Sequence, residues 1–60
     1  MVLQVFQAKG CSMSIAEAYT ALMNLNPQDP YRRYKAAGAL GGSVASGFLV
    51  LRNGVYTRVR

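Results

Sequence analysis

Asn53 and Gly54 stand between two runs of apolar and β-branched residues, 49–52 and 55–58, and no other feature constrains the fold as much. A type I′ turn needs positive φ at both central residues. Asparagine tolerates that conformation, glycine adopts it freely, and the turn's twist matches that of two antiparallel strands. A two-residue loop also fixes the register: Arg52 opposite Val55, Leu51 opposite Tyr56, Val50 opposite Thr57 and Leu49 opposite Arg58. Leu49, Leu51 and Tyr56 then share one face with Arg58 at its edge, while Phe48, Val50, Val55 and Val59 share the other. One face must be core. The apolar content of the second calls for a third strand with helices, or for another subunit.

Nothing covalent reinforces so short a chain. Its 60 residues hold one cysteine, no histidine and two carboxylates, so the sequence offers no internal disulfide and no zinc or calcium site, and no cofactor is expected. Residues 1–60 make a single domain. A chain of this length buries only about 60% of its unfolded surface, which makes a homodimer a live expectation. Cys11 reads as a small half-buried hydrophobe. Ten residues before it are too few for a secretory signal, and Lys9 stands where a lipoprotein cleavage site would want a small residue, so a cytoplasmic location is expected.

Two helices are legible. Ser14 and Glu17 have the S-x-x-E spacing of a capping box, and Ile15, Ala18, Tyr19, Leu22 and Leu25 follow at helical spacing, with Glu17, Thr20 and Asn24 facing away. Asn26 and Pro27 end this helix. Asp29 as N-cap and Pro30 at the first helical position start the second, which is expected from Pro30 to about Leu40 with Tyr31, Tyr34, Ala37 and Leu40 inward. Gly41 and Gly42 read as its C-terminal cap or a tight turn. Ser43 to Gly47 reads either as a short third helix or as the tail of a bent second one. Residues Met1 to Gln7 alternate as a short strand would, closed by Lys9 and Gly10. The expected fold class is α+β: two or three short helices with a small antiparallel sheet ending in the hairpin.

Charge divides the chain in two. Residues 1–30 hold Lys9 against Glu17 and Asp29, a formal −1; residues 31–60 hold Arg32, Arg33, Lys35, Arg52, Arg58 and Arg60 and no acid, a formal +6. Such an asymmetry points to a polyanion, with nucleic acid first and an anionic membrane surface second. Catalysis is not expected, because no histidine is present to activate a nucleophile and both carboxylates are placed as helix caps. Gly38, Gly41 and Gly42 lack the lysine and hydroxyl of a phosphate loop.

The order of strand, helix, basic helix, helical turn and tight-tipped hairpin resembles the winged helix-turn-helix proteins, small DNA-binding regulators of bacteria and phages. The resemblance is one of architecture. It implies that a helix preceding the hairpin enters the major groove and that the hairpin, the wing, touches the backbone or minor groove. Carried onto this sequence, Arg32, Arg33, Lys35 and Ser43 lie on or beside the recognition surface, and Arg52, Asn53, Arg58 and Arg60 lie on the wing. The partner is then duplex DNA and the role transcription regulation. Residues Ala36 to Gly42 offer few side chains that read a base edge, so phosphate contact is better supported than sequence recognition. The first alternative is a small modulator that docks on a host protein, for which the tyrosines and arginines are suitable hot-spot residues. The second is a membrane-associated protein. Ala36 to Leu51 is a run of 16 uncharged residues with Gly38 and Gly42 in G-x-x-x-G spacing, but it spans only about 24 Å against a hydrocarbon core of about 30 Å.

Overall fold

The capping box forms as its spacing requires. The Ser14 hydroxyl accepts from the Glu17 N–H at 3.1 Å, and the Glu17 carboxylate accepts from the Ser14 N–H at 2.9 Å. It opens one of three helices in the computed structural model, which describes all residues 1–60. In chain order the elements are α1 (Val2–Val5), β1 (Ser12–Ser14), α2 (Ile15–Met23), α3 (Arg32–Ala45), β2 (Leu49–Arg52) and β3 (Val55–Arg58). The strands form one antiparallel sheet in the order β1-β3-β2, so the fold is α+β.

The hairpin has the register that its turn dictates. Leu49 lies opposite Arg58, Val50 opposite Thr57, Leu51 opposite Tyr56 and Arg52 opposite Val55. Asn53 and Gly54 take φ of 51° and 73°, the type I′ pattern. The third strand is β1, whose Met13 pairs with Tyr56. One sheet face therefore carries Met13, Leu49 and Tyr56 toward the helices, with Leu51 overhanging at 42% exposure. Val50, Arg52, Val55 and Thr57 lie on the other face, where Ser12 and Thr57 join hydroxyls across the strands at 2.8 Å.

The first seven residues do not form the expected strand. Val2–Val5 is a single helical turn, closed by the Phe6 N–H on the Val2 carbonyl at 2.8 Å. Val2 and Phe6 are four apart, so a helix sends both inward, at 9% and 0% exposure. Alternation over so few residues fits either period. The short β1 takes the strand's place, because only Ser12–Ser14 is aligned to pair with β3 while leading directly into the α2 cap.

The second helix also differs from expectation. Regular helix begins at Arg32 rather than Pro30, and Gly41 and Gly42 do not end it. Its end is a Schellman motif five residues on: the Phe48 N–H reaches the Ser43 carbonyl at 2.9 Å, the Gly47 N–H reaches Val44 at 3.1 Å, and Gly47 takes φ of 79°. Ser43 to Ala45 is thus the tail of α3. Its buried residues are Ala36 and Leu40; Tyr31 and Tyr34, expected inward, are 67% and 80% exposed, and Ala37 is exposed too. On α2, Ala18 and Leu22 are buried, whereas Ile15 and Leu25 remain 41% and 42% exposed, Ile15 at the helix's first position and Leu25 beyond its end. The core comprises Val2, Phe6, Ala18, Leu22, Ala36, Leu40, Leu49 and Tyr56, and each fully buried leucine contributes about 1.5–3 kcal/mol.

Candidate nucleic-acid interface

Helical geometry divides the cations at the start of α3 between two flanks. At 3.6 residues per turn, Arg32 and Lys35 project on one flank, Arg33 on the other, and Tyr34 outward between them. The Lys35 Nζ donates to the Asp29 carboxylate at 2.6 Å, and the Arg32 Nη1 donates to the Asp29 carbonyl at 3.1 Å. Asp29 also accepts the Tyr31 N–H at 2.9 Å, an Asx turn that leads the chain into α3. Its side chain is 9% exposed. The Lys35 hydrogen bond, followed by the Tyr31 N–H, holds its carboxyl below the usual range. Arg32 and Lys35 thus lie beside an acid, in a concavity of about 220 Å³ that also includes Met1, Gln4 and Leu25.

Arg33 has a different environment. Its guanidinium lies 5.4 Å from the centroid of the Tyr19 ring on α2, a cation–π contact that orients the charge without neutralising it. The two residues share a concavity of about 570 Å³ with Ile15, Ala16, Thr20 and Met23. No acid lines it, since Glu17 projects from the opposite flank of α2 and is engaged in the cap. That engagement, through the Ser14 N–H and then the Ser14 hydroxyl, lowers the Glu17 carboxyl below its ordinary value. Ile15, which lines this concavity, is tied to the hairpin tip, its N–H donating to the Gly54 carbonyl at 3.0 Å. Arg33, Tyr19, Ile15 and the turn Asn53–Gly54 therefore form a connected strip, and Arg52 precedes the turn with its side chain exposed on the outer face of the sheet.

Arg58 and Arg60 lie at the opposite end of the hairpin. Arg58 is half-buried: its Nη1 donates to the Phe6 carbonyl at 2.8 Å, its Nε to the Arg60 carbonyl at 2.9 Å, and its guanidinium lies 4.8 Å from the Phe48 ring centroid. Arg60 donates to the Ser46 carbonyl at 3.2 Å. Both fasten the chain's end to α1 and to the end of α3. Ser43 is half-buried on the α1 side of α3 and lines a groove of about 420 Å³ with Met1, Leu3, Gly38, Gly42 and Phe48. Of the eight residues read from the sequence, Arg33 and Asn53 therefore belong to the strip; Arg52 adjoins its hairpin end from the outer face of the sheet, Arg32 and Lys35 flank it, and Ser43, Arg58 and Arg60 lie elsewhere.

Sequence reasoning assigned Tyr19, Tyr31 and Tyr34 to the core. The signal that separates them is composition: both α3 tyrosines are interleaved with cations in Tyr31-Arg32-Arg33-Tyr34-Lys35, a solvated pattern, while Ala36 and Leu40 supply the inward pair four residues apart. No helix is long and apolar enough to cross a membrane; the uncharged run 36–51 is divided by the turn at Gly47. No protein-family model matches the chain, and neither a curated protein nor a solved structure matches it.

Proposed function

We propose that this protein binds duplex DNA as a small winged helix-turn-helix regulator of the bacterial or phage kind, with α3 against the groove and the β2–β3 hairpin as the wing. The observation that carries the reading is the strip joining Arg33 to the hairpin tip. A basic helix that directly precedes a hairpin is connected, through Tyr19 and Ile15, to the turn of that same hairpin. The element order, helix, strand, two helices and a terminal hairpin, supports the same reading. Such a role belongs to the cytoplasm.

The outward face of α3 restricts the mode of binding. Beyond Tyr34 it presents Ala37, Gly38, Gly41 and Ala45, which carry no side-chain donor or acceptor. Base edges are read by such groups, so affinity comes from phosphate contact and close approach of the helix rather than from sequence. Titration against a random-sequence duplex at two salt concentrations tests this reading. Binding that weakens steeply as salt rises supports it. Absence of binding at low salt would leave the docking of a partner protein as the better account.

A further inference from the structure

Tyr34 and Tyr31, at 80% and 67%, are the most solvent-exposed large apolar side chains of the molecule. They open α3 together, Tyr31 at its N-cap and Tyr34 three residues on, so they are neighbours on its outward side. Tyr31 takes part in starting the helix through its backbone, its N–H donating to the Asp29 carboxylate and its carbonyl accepting the Lys35 N–H at 2.9 Å; its ring is not used. In a chain whose core holds eight residues, leaving two aromatic rings in water forgoes burial that the fold could use.

Their surroundings indicate what would cover them. Arg32, Arg33 and Lys35 are interleaved with the rings, and the one nearby acid, Asp29, is already paired with Lys35. The local field is positive. Along the same helix face the next positions are Ala37, Gly38 and Gly41, and a Cβ added at either glycine would meet nothing within 4 Å. The Tyr34 ring therefore has no bulky neighbour on the C-terminal side, and a flat partner can lie against it. Exposed aromatic faces beside cations, with clear space next to them, suit stacked bases joined by a phosphate backbone.

We infer that the first turn of α3 is a stacking platform for unpaired bases, with Tyr31 and Tyr34 taking base faces and Arg32 and Arg33 the adjoining phosphates. The ligand is single-stranded nucleic acid next to a duplex, and the inference rests on the duplex-binding reading above. The test measures binding of the parent protein, Tyr31→Ala, Tyr34→Ala and Tyr34→Phe to a blunt duplex and to the same duplex with a single-stranded overhang. Circular dichroism confirms that each variant is folded. The parent should prefer the overhang. Each alanine variant should bind it roughly 5- to 140-fold more weakly and lose clearly less on the blunt duplex, and Tyr34→Phe should behave as the parent. A parent that binds both duplexes equally, or alanine variants that lose equally on both, would overturn the platform and leave duplex binding standing. Failure to bind either DNA would overturn both readings and favour a protein as the partner of the tyrosines.

Discussion

The Arg58 guanidinium donates to the Phe6 carbonyl at 2.8 Å and lies 4.8 Å from the Phe48 ring centroid, so one side chain from the last strand fastens both the first helix and the start of the hairpin. This arginine closes the fold. Arg58→Ala should destabilise the protein by about 1.5–3 kcal/mol, the range for a hydrogen bond to a charged group. Lysine should rescue it only partly, because it lacks the planar fork that serves Phe6 and Arg60 at once. Thermal melts of the parent and the two variants check this, and an Arg58→Ala protein as stable as the parent would refute it.

Helix packing gives a second set of expectations. Leu22 and Leu40 are each 1% exposed, so Leu22→Ala and Leu40→Ala should each cost about 2–5 kcal/mol. Ser14→Ala removes one side of the capping box and should cost about 1 kcal/mol. Leu25, 42% exposed, should tolerate alanine with a far smaller loss. Urea unfolding of the four variants gives the order directly.

The glycines should separate by sign. A Cβ at Gly38 or Gly41 meets nothing within 4 Å and both lie inside α3, so alanine at either should stabilise the chain by about 0.5–1 kcal/mol. Gly47 has equal space but φ of 79° at the Schellman end. Alanine there should destabilise by about 1 kcal/mol or more. Melting temperatures moving in opposite directions would confirm both readings.

Acid should weaken the fold through its two carboxylates. Hydrogen bonds from Ser14 lower Glu17, and those from Lys35 and Tyr31 lower Asp29. A carboxyl lowered in the folded state contributes stability that is present above its unfolded value, about 4, and lost as pH falls through the folded one. Stability should therefore decline below about pH 4, and the decline should be shallower in a Glu17→Gln, Asp29→Asn double variant. Denaturant midpoints measured from neutral pH downward test the sign.

The hairpin, its register and the α2 cap were legible because each depends on a few adjacent residues: Asn53-Gly54 for the turn, Ser14 and Glu17 for the box. The first helix and the facing of α3 depend on contacts across the chain. Val2 and Phe6 suit a helix or a strand until Leu22 and Leu40 supply a core for them. Ala36 is buried in place of Tyr34 because α2 and α3 present small side chains, Ala18 and Ala36, to the core. The same limit applied to the site. Sequence grouped six cations by charge, whereas Asp29, Phe6 and Ser46 each hold some of them away from the strip.

The most direct test of the central claim is the salt dependence of duplex binding by the parent, Arg33→Ala, Arg52→Ala and Arg58→Ala, measured where all four are folded. If the strip from α3 to the hairpin tip carries the DNA, Arg33→Ala and Arg52→Ala should each weaken binding and lower the slope of log K against log salt by roughly 0.9. Arg58→Ala should leave that slope nearly as it is. Equal affinities and equal slopes for the parent, Arg33→Ala and Arg52→Ala would contradict the account.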